Sequence, residues 1–286
     1  MTIKKISIIS LTYNNWRLLE KAIKSVSTQK IDERYKIEYI ISDDGTEDFN
    51  YEHVKKILES TLLKFNIIVN ESNIGTVASF NNAIKHAEGD IIIPLSADDE
   101  FYDEYVVNEI INAFENKDMD IITTLRVPVI NEVELQAIPS KEKVKLFNSS
   151  EKLLRELLFS NNIISGASTY YRRSVFTKIG FFDEKYRLLE DYPFYIKALI
   201  LGVNIDFLNI KSIKYGVNGV SSNNVVNPAL REDYKKLNLY ILNLPLINII
   251  DFRGVSFKKI MTRKERYKNA WKYPDQLFLM LLKKWS

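Results

Sequence analysis

Short apolar runs alternate with amphipathic stretches through the first 125 residues of this chain. The runs at residues 6–11, 37–41, 66–69 and 91–95 are rich in isoleucine, the pattern of strands buried on both faces of a parallel sheet. Between them, residues 16–27, 51–62 and 76–87 carry apolar side chains at helical spacing, and Gly89 closes the third as a C-cap. A fourth amphipathic stretch at 105–116 leads into a strand at 120–125. Repeated β-α-β units of this kind predict an α/β fold, a mostly parallel central sheet flanked by helices with right-handed crossovers.

The second half is less regular. Pro128 and Pro139 bracket a weak strand and a polar loop, which marks the edge of the first lobe. Asn148-Ser-Ser-Glu151 has a capping-box pattern. A strand at 167–171 and a turn at Gly180 follow, then a helix that begins at Glu190-Asp191 and tolerates Pro193 in its first turn. Asn227-Pro228 caps another helix, and residues 252–286 read as two basic amphipathic helices. The plan is therefore an α/β lobe over 1–126, a smaller region over 127–226 and a helical extension over 227–286.

Composition narrows the class. Apolar residues make up 46% of 286 and charged residues 27%, an ordinary globular balance. There is no cysteine, so disulfides and thiolate chemistry are excluded, which fits a reducing compartment. Met1-Thr-Ile-Lys-Lys5 runs straight into a strand pattern without a secretory leader, and no apolar run nears the roughly 18 residues that span a bilayer. A cytoplasmic location is the expectation. The net charge of +3 is uneven: residues 252–286 hold ten Lys or Arg and two Asp or Glu, leaving 30 basic and 35 acidic residues elsewhere. Nucleic acid is therefore not an expected partner of the body of the chain.

Ligands of an open parallel sheet bind beyond the carboxyl ends of its strands. Three strands here end in polar clusters: Thr12-Tyr13-Asn14, Ser42-Asp43-Asp44-Gly45 and Ser96-Ala97-Asp98-Asp99. Each alone reads as helix capping or turn chemistry. Together they crowd acidic groups on one edge, which repel unless a cation or donor compensates. Paired carboxylates beside a phosphate ligand suggest Mg²⁺ or Mn²⁺. His53 and His86 are isolated helix residues, so no zinc constellation exists. No Walker loop occurs and no G-x-G-x-x-G follows the first strand.

The chain resembles the family 2 glycosyltransferases, inverting enzymes of the GT-A fold, and among them the bacterial surface-glycan type. Five segments carry the resemblance, in the family's order: Ser7-Ile-Ile-Ser-Leu-Thr-Tyr-Asn14, Ile40-Ile-Ser-Asp-Asp-Gly-Thr46, Asn73-Ile-Gly75 with Asn81, Gly89-Asp-Ile-Ile-Ile-Pro-Leu-Ser-Ala-Asp-Asp99, and Ile179-Gly-Phe-Phe-Asp-Glu184 followed by Glu190-Asp191. They span about three quarters of the chain. The resemblance implies that Thr12, Tyr13, Asn14 and Asn73 line the nucleotide and that Asp44 accepts a hydrogen bond from the base, favouring a UDP- or dTDP-sugar. It implies Asp98 as a metal and nucleotide-side carboxylate, with Asp99 beside it as a second ligand to Mn²⁺ or Mg²⁺. Asp191 would be the catalytic base. It would take the proton of an acceptor hydroxyl on a glycan, lipid-linked or glycoprotein acceptor, giving inversion in one displacement.

Three positions depart from the family. Ser96 replaces the first acid of the metal motif, Phe80 an arginine near the diphosphate, and Asn218 a histidine. They keep two other readings open: a non-catalytic, nucleotide-binding partner subunit, and a sugar nucleotidyltransferase, although the Thr12–Arg17 loop lacks the glycine the latter needs. The basic tail, with Trp271, Trp285 and an apolar run at 277–282, fits either contact with the inner face of the membrane or a packing or dimer seam.

Overall fold

The isoleucine runs pair as the centre of a sheet in which neighbouring positions feed opposite faces. A computed structural model describes residues 3–116, 119–216 and 227–282, with side chains to residue 278. Strands β1 (Lys5–Thr12), β2 (Lys36–Asp43), β3 (Lys64–Val69) and β4 (Ile91–Pro94) run parallel. They are joined through helices α1 (Leu19–Ser27), α2 (Tyr51–Glu59) and α3 (Thr76–His86). Then follow β5 (Glu100–Phe101), α4 (Val106–Asn116), β6 (Ile121–Ile130), β7 (Val133–Glu134), α5 (Lys141–Val144), α6 (Ser150–Phe159), β8 (Thr169–Arg172), α7 (Ser174–Ile179), α8 (Asp191–Ile200) and β9 (Ile205–Gly216). The sheet order is β3-β2-β1-β4-β8-β6-β9-β5, with β7 on β6. All the longer strands share one direction; only β8 and the two-residue β5 and β7 oppose them. This is the mostly parallel α/β sheet of a GT-A fold.

Successive strand side chains point to opposite faces, and the chain uses both. Ile9, Ile40, Ile92, Ile121 and Tyr171 pack with α3, α6 and α8. Their neighbours Ile8, Ile41, Ile91, Ile122 and Tyr170 pack with α1, α2 and α4. Continuous apolar runs, rather than alternating ones, follow directly from that double burial.

Beyond the sheet, α9 (Pro228–Leu242) and α10 (Ile249–Val255) pack on the α6–α8 side, and the chain continues through a π turn at Ser256–Ile260 into α11 (Arg263–Asn269) and α12 (Pro274–Leu282). Two sequence expectations need correcting. The cap of α6 is Ser149, which accepts from the Lys152 amide, so Glu151 falls one position short of a box. The capping box is instead Thr262 with Glu265, which breaks the tail into shorter helices than expected. Pro274 starts the last one. Asn218 and Trp285 lie outside the described residues.

Candidate functional site

The carboxyl ends of β1 and β2 are stitched together by their own polar residues. The Asp44 amide donates to the Thr12 carbonyl at 2.9 Å. Asn14 turns the chain with a φ of 60°, and its amide donates to Thr46 Oγ1 at 2.9 Å. Asparagine tolerates that left-handed conformation better than most residues. Thr12 Oγ1 and the Tyr13 amide both donate to Asn15 Oδ1. The Tyr13 ring is left 47% exposed at this edge, a face on which a base can stack.

Asp44 has a structural task. Its Oδ1 accepts from Asn70 Nδ2 and the Ile74 amide, each at 3.0 Å, and its Oδ2 accepts from the Gly75 amide at 2.9 Å. Three of the roughly four acceptor positions of a carboxylate are thereby filled. Asp44 thus clamps the 73–75 loop onto β2. Gly75 needs its φ of +95°, and a Cβ there would lie 2.6 Å from Arg187 Cγ. Arg187 in turn donates to the Asn73 carbonyl at 3.1 Å and to its side chain. Next to Asp44, the buried Asp43 accepts from the Thr46 amide through Oδ2, while its Oδ1 has no partner among the described residues. Burial raises the Asp43 carboxyl above its ordinary pKa. Sequence reasoning passed over Asp43, although the tandem Asp43-Asp44 was the available signal.

Asp98 and Asp99 follow β4 on the same edge. Asp99 is fully buried; its Oδ1 accepts from the Gly216 amide at 2.9 Å and its Oδ2 has no partner among the described residues. Burial, followed by the neighbouring Asp98 charge, pushes the Asp99 carboxyl up to about 8. Burial also raises that of Asp98, which is the more open of the two. The last residue of β9 lies hard against them: a Cβ on Gly216 would lie 2.5 Å from the Asp98 carbonyl oxygen. No group of three or more His, Cys, Asp or Glu gathers as a metal cage among the described residues. An orphan carboxylate oxygen and two acids with raised pKa still fit a Mg²⁺ or Mn²⁺ ion that takes its remaining ligands from diphosphate and water. Phe80 is buried and stacks on Phe182 at 5.2 Å between centroids. It belongs to the core and cannot serve a diphosphate.

Asp191 opens α8 on the other side of the edge. It accepts from Asn162 Nδ2 at 3.2 Å and from the Tyr192 amide at 2.6 Å. Gly166 lies so close that a Cβ there would sit 3.2 Å from Asp191 Oδ2. Burial raises the carboxyls of both Asp191 and Glu190, and the Asp191 charge adds to the rise at Glu190. The approach to this pair is fixed from a distance. The amides of Arg187, Leu188 and Leu189 all donate to one oxygen, Oδ2 of the buried Asp233 on α9, at 2.8, 2.7 and 3.2 Å. Sequence reasoning missed Asp233, Asn162 and Arg187. Thr12 thus bonds Asp44 directly, Tyr13 and Asn14 follow it in the same turn, Asp44 holds the Ile74 and Gly75 amides next to Asn73, Arg187 links Asn73 to the loop before Asp191, and Asp98-Asp99 sits against β9.

A family model, "Glycosyl transferase family 2", matches residues 7–180. The uncharacterized glycosyltransferase YwdF of Bacillus subtilis (strain 168) is 29% identical over 194 residues, 68% of each chain. The uncharacterized glycosyltransferase MJ1057 of Methanocaldococcus jannaschii is 23% identical over 213 residues, 74% of this chain and 70% of its own. Among solved structures, S. aureus TarS superposes with a TM-score of 0.65 at 20% identity, over 92% of this chain but only 45% of TarS. Its 1–349 fragment in complex with UDP-GlcNAc gives the same TM-score and identity over 88% of this chain and 70% of the fragment. Sheet, edge and family model define a GT-A glycosyltransferase. The chain belongs to glycosyl transferase family 2.

Proposed function

We propose that this chain transfers a sugar with inversion from a UDP- or dTDP-sugar to a hydroxyl of a glycan, lipid-linked or glycoprotein acceptor, in bacterial polysaccharide or glycoprotein glycan synthesis. The observation that carries the reading is Asp191: a carboxylate raised in pKa by burial, held in place by Asn162 and the Tyr192 amide, on the edge that also gathers the nucleotide-side residues. A base poised nearer neutrality takes a hydroxyl proton more readily than an ordinary surface carboxylate. The hydroxyl oxygen bonds to the anomeric carbon as the nucleoside diphosphate leaves from the opposite face, so one displacement inverts the centre. Tyr13 offers a stacking face for the base, and Asp44, with three acceptor positions filled, keeps one for a ring N–H. Asp98, with Asp99 behind it, would hold Mn²⁺ or Mg²⁺, which supplies charge compensation for the departing diphosphate. TarS structures in complex with UDP and with UDP-GlcNAc favour a uridine nucleotide here.

The proposed setting is the cytoplasm, with surface contact to the inner membrane or dimerisation through the C-terminal helices. No helix among the described residues is long and apolar enough to cross a membrane. The test is a screen of nucleotide sugars for donor hydrolysis by the purified chain, with and without Mn²⁺. A UDP- or dTDP-sugar should turn over and a GDP-sugar should not. NMR of a transfer product that retains the donor's anomeric configuration would reject inversion.

A further inference from the structure

A cavity of about 300 Å³ opens beside Asp191, between β6, the Ile138–Pro139 turn, the start of α5 and the loop at 162–165. Its wall contains Asn162, whose amide holds the Asp191 carboxylate at 3.2 Å. None of Thr12, Tyr13, Asn14, Asp44 or Asn73 lines it. Yet Arg126 on its wall belongs to β6, whose pairing with β9 runs on to Gly216, the residue whose amide donates to Asp99. The cavity therefore lies between the acidic pair and the base, where an acceptor rather than a nucleoside belongs.

Its lining mixes apolar residues, Ile138, Pro139, Ile163 and Ile164, with polar ones that include Arg126, Lys143 and Ser165. Arg126 Nε and Ser165 Oγ are both buried without a hydrogen-bond partner among the described residues. The Arg126 Cζ lies 4.4 Å from the centre of the Tyr215 ring, a contact that leaves its charge unneutralised. Lys143 adds a second cation at the rim, paired with Glu156 on its outer side. Two cations, Arg126 and Lys143, thus border one cavity, and of the two only Lys143 has an ion-pair partner within 4 Å among the described residues. Arginine's planar fork matches an oxyanion two bonds at a time, and the serine hydroxyl supplies one more donor.

Resting on the glycosyltransferase reading, we propose that this cavity is the acceptor subsite and that the acceptor carries an oxyanion, phosphate or carboxylate, close to its reactive hydroxyl. Arg126 and Ser165 bind that group and Lys143 screens it. The bound anion sets the distance at which the hydroxyl meets Asp191. The cavity has room for about one sugar or polyol unit, so the charge and the hydroxyl belong to the same or adjoining units.

Glycerol 3-phosphate, glycerate and uncharged glycerol serve as probes, titrated by ligand-observed NMR into the full chain with and without saturating UDP. Wild type should bind at least one charged probe tenfold or more tighter than glycerol, and the winner tells phosphate from carboxylate. R126M should abolish that preference and R126K, which keeps charge but loses the fork, should retain part of it; melting curves verify that both fold. Equal binding of charged and uncharged probes by wild type overturns the proposal whatever the variants do. A charge preference that survives in folded R126M overturns it too. Loss of UDP affinity in R126M, with no charged-probe preference in wild type, would assign Arg126 to the donor diphosphate and also overturns it. Failure of wild type to bind UDP would instead strike the nucleotide-sugar reading, while the titration without UDP still decides the subsite.

Discussion

Asp233→Asn keeps the size of the side chain and removes its charge, which isolates what one buried carboxylate does for the catalytic loop. In the native chain a single oxygen receives three backbone amides, those of Arg187, Leu188 and Leu189. Hydrogen bonds to a charged group are worth about 1.5–3 kcal/mol each. The three share one oxygen, and those from Arg187 and Leu188 are only partly buried, so water can replace them in part. Complete removal in Asp233→Ala should therefore cost about 3–5 kcal/mol, the range seen when one partner of a buried charged pair is deleted. Asparagine keeps an acceptor but forfeits charge assistance, about half the strength of each bond, so Asp233→Asn should cost about 2 kcal/mol. Urea denaturation reads this as a lower midpoint at unchanged slope. The same variant loosens the residues entering Glu190-Asp191, and a base displaced by about 1 Å loses on the order of 10²-fold in rate. The control is Lys236→Met: Lys236 lies 3.6 Å from the other Asp233 oxygen and donates to the Lys185 carbonyl, and because its loss leaves the three amide bonds in place it should cost less than Asp233→Asn. Should Asp233→Asn match wild type in both urea midpoint and turnover, the argument that α9 positions the base is wrong.

Asp191→Asn should retain UDP binding by calorimetry while transfer falls by about 10²–10⁴, and wild-type turnover should rise with pH to a midpoint above the ordinary carboxylate range, because burial raises the Asp191 carboxyl; full activity in the variant would remove its role. Asp98→Asn, or EDTA, should abolish metal-stimulated turnover of a folded protein, and activity indifferent to both would reject the metal assignment. Asp99 has an opposite signature in stability: its folded pKa is raised from 3.8 to about 8, so between those values the folded state binds the extra proton and stability falls as pH rises. Asp99→Asn should flatten that slope and stabilise the chain at pH 8 relative to pH 5 when urea midpoints are compared with wild type. For the tail, the full chain should co-sediment with anionic vesicles at low salt and release at high salt. Replacing Trp271 and Phe278 by alanine should weaken this without unfolding, since both rings are exposed; absence of wild-type binding would leave the tail a packing role alone.

Much of the α/β lobe was legible because double burial leaves an unmistakable trace. Isoleucine runs flanked by amphipathic helices admit few arrangements, and strand ends rich in Asp and Asn then fall on one edge by geometry. The direction of β8 left no such trace. A four-residue strand reads the same in either orientation, and only its pairing between β4 and β6 shows that it opposes both. The capping misreading at Ser149 is local: two serines and an asparagine in a row offer three N-caps, and the packing of Leu153 and Leu157 decides which turn begins the helix.

The residues that escaped detection share a physical cause. Asp233 lies among Lys, Arg and Glu on a helix and reads as part of a solvated face; its worth comes from amides 44 to 46 positions away, a separation no periodicity encodes. Arg126 reads as an ordinary charge in a strand, until the ring of Tyr215 against it and the cavity it lines show its place. The tail is ambiguous for a related reason. Val255 and Phe257 are buried, and Lys259 reaches the Leu157 carbonyl and the Tyr192 hydroxyl, while burial brings its pKa down to about 8. Tyr267, Trp271 and Phe278 face outward. One stretch with the composition of a membrane anchor therefore divides into a segment that braces α8 behind Asp191 and a segment free to meet a surface. Composition reports how much charge and apolar area a segment has, and only the fold allots them to faces. For that reason a truncation at residue 252 would damage the catalytic lobe as well as any membrane contact, and point changes at Trp271 and Phe278 separate the two.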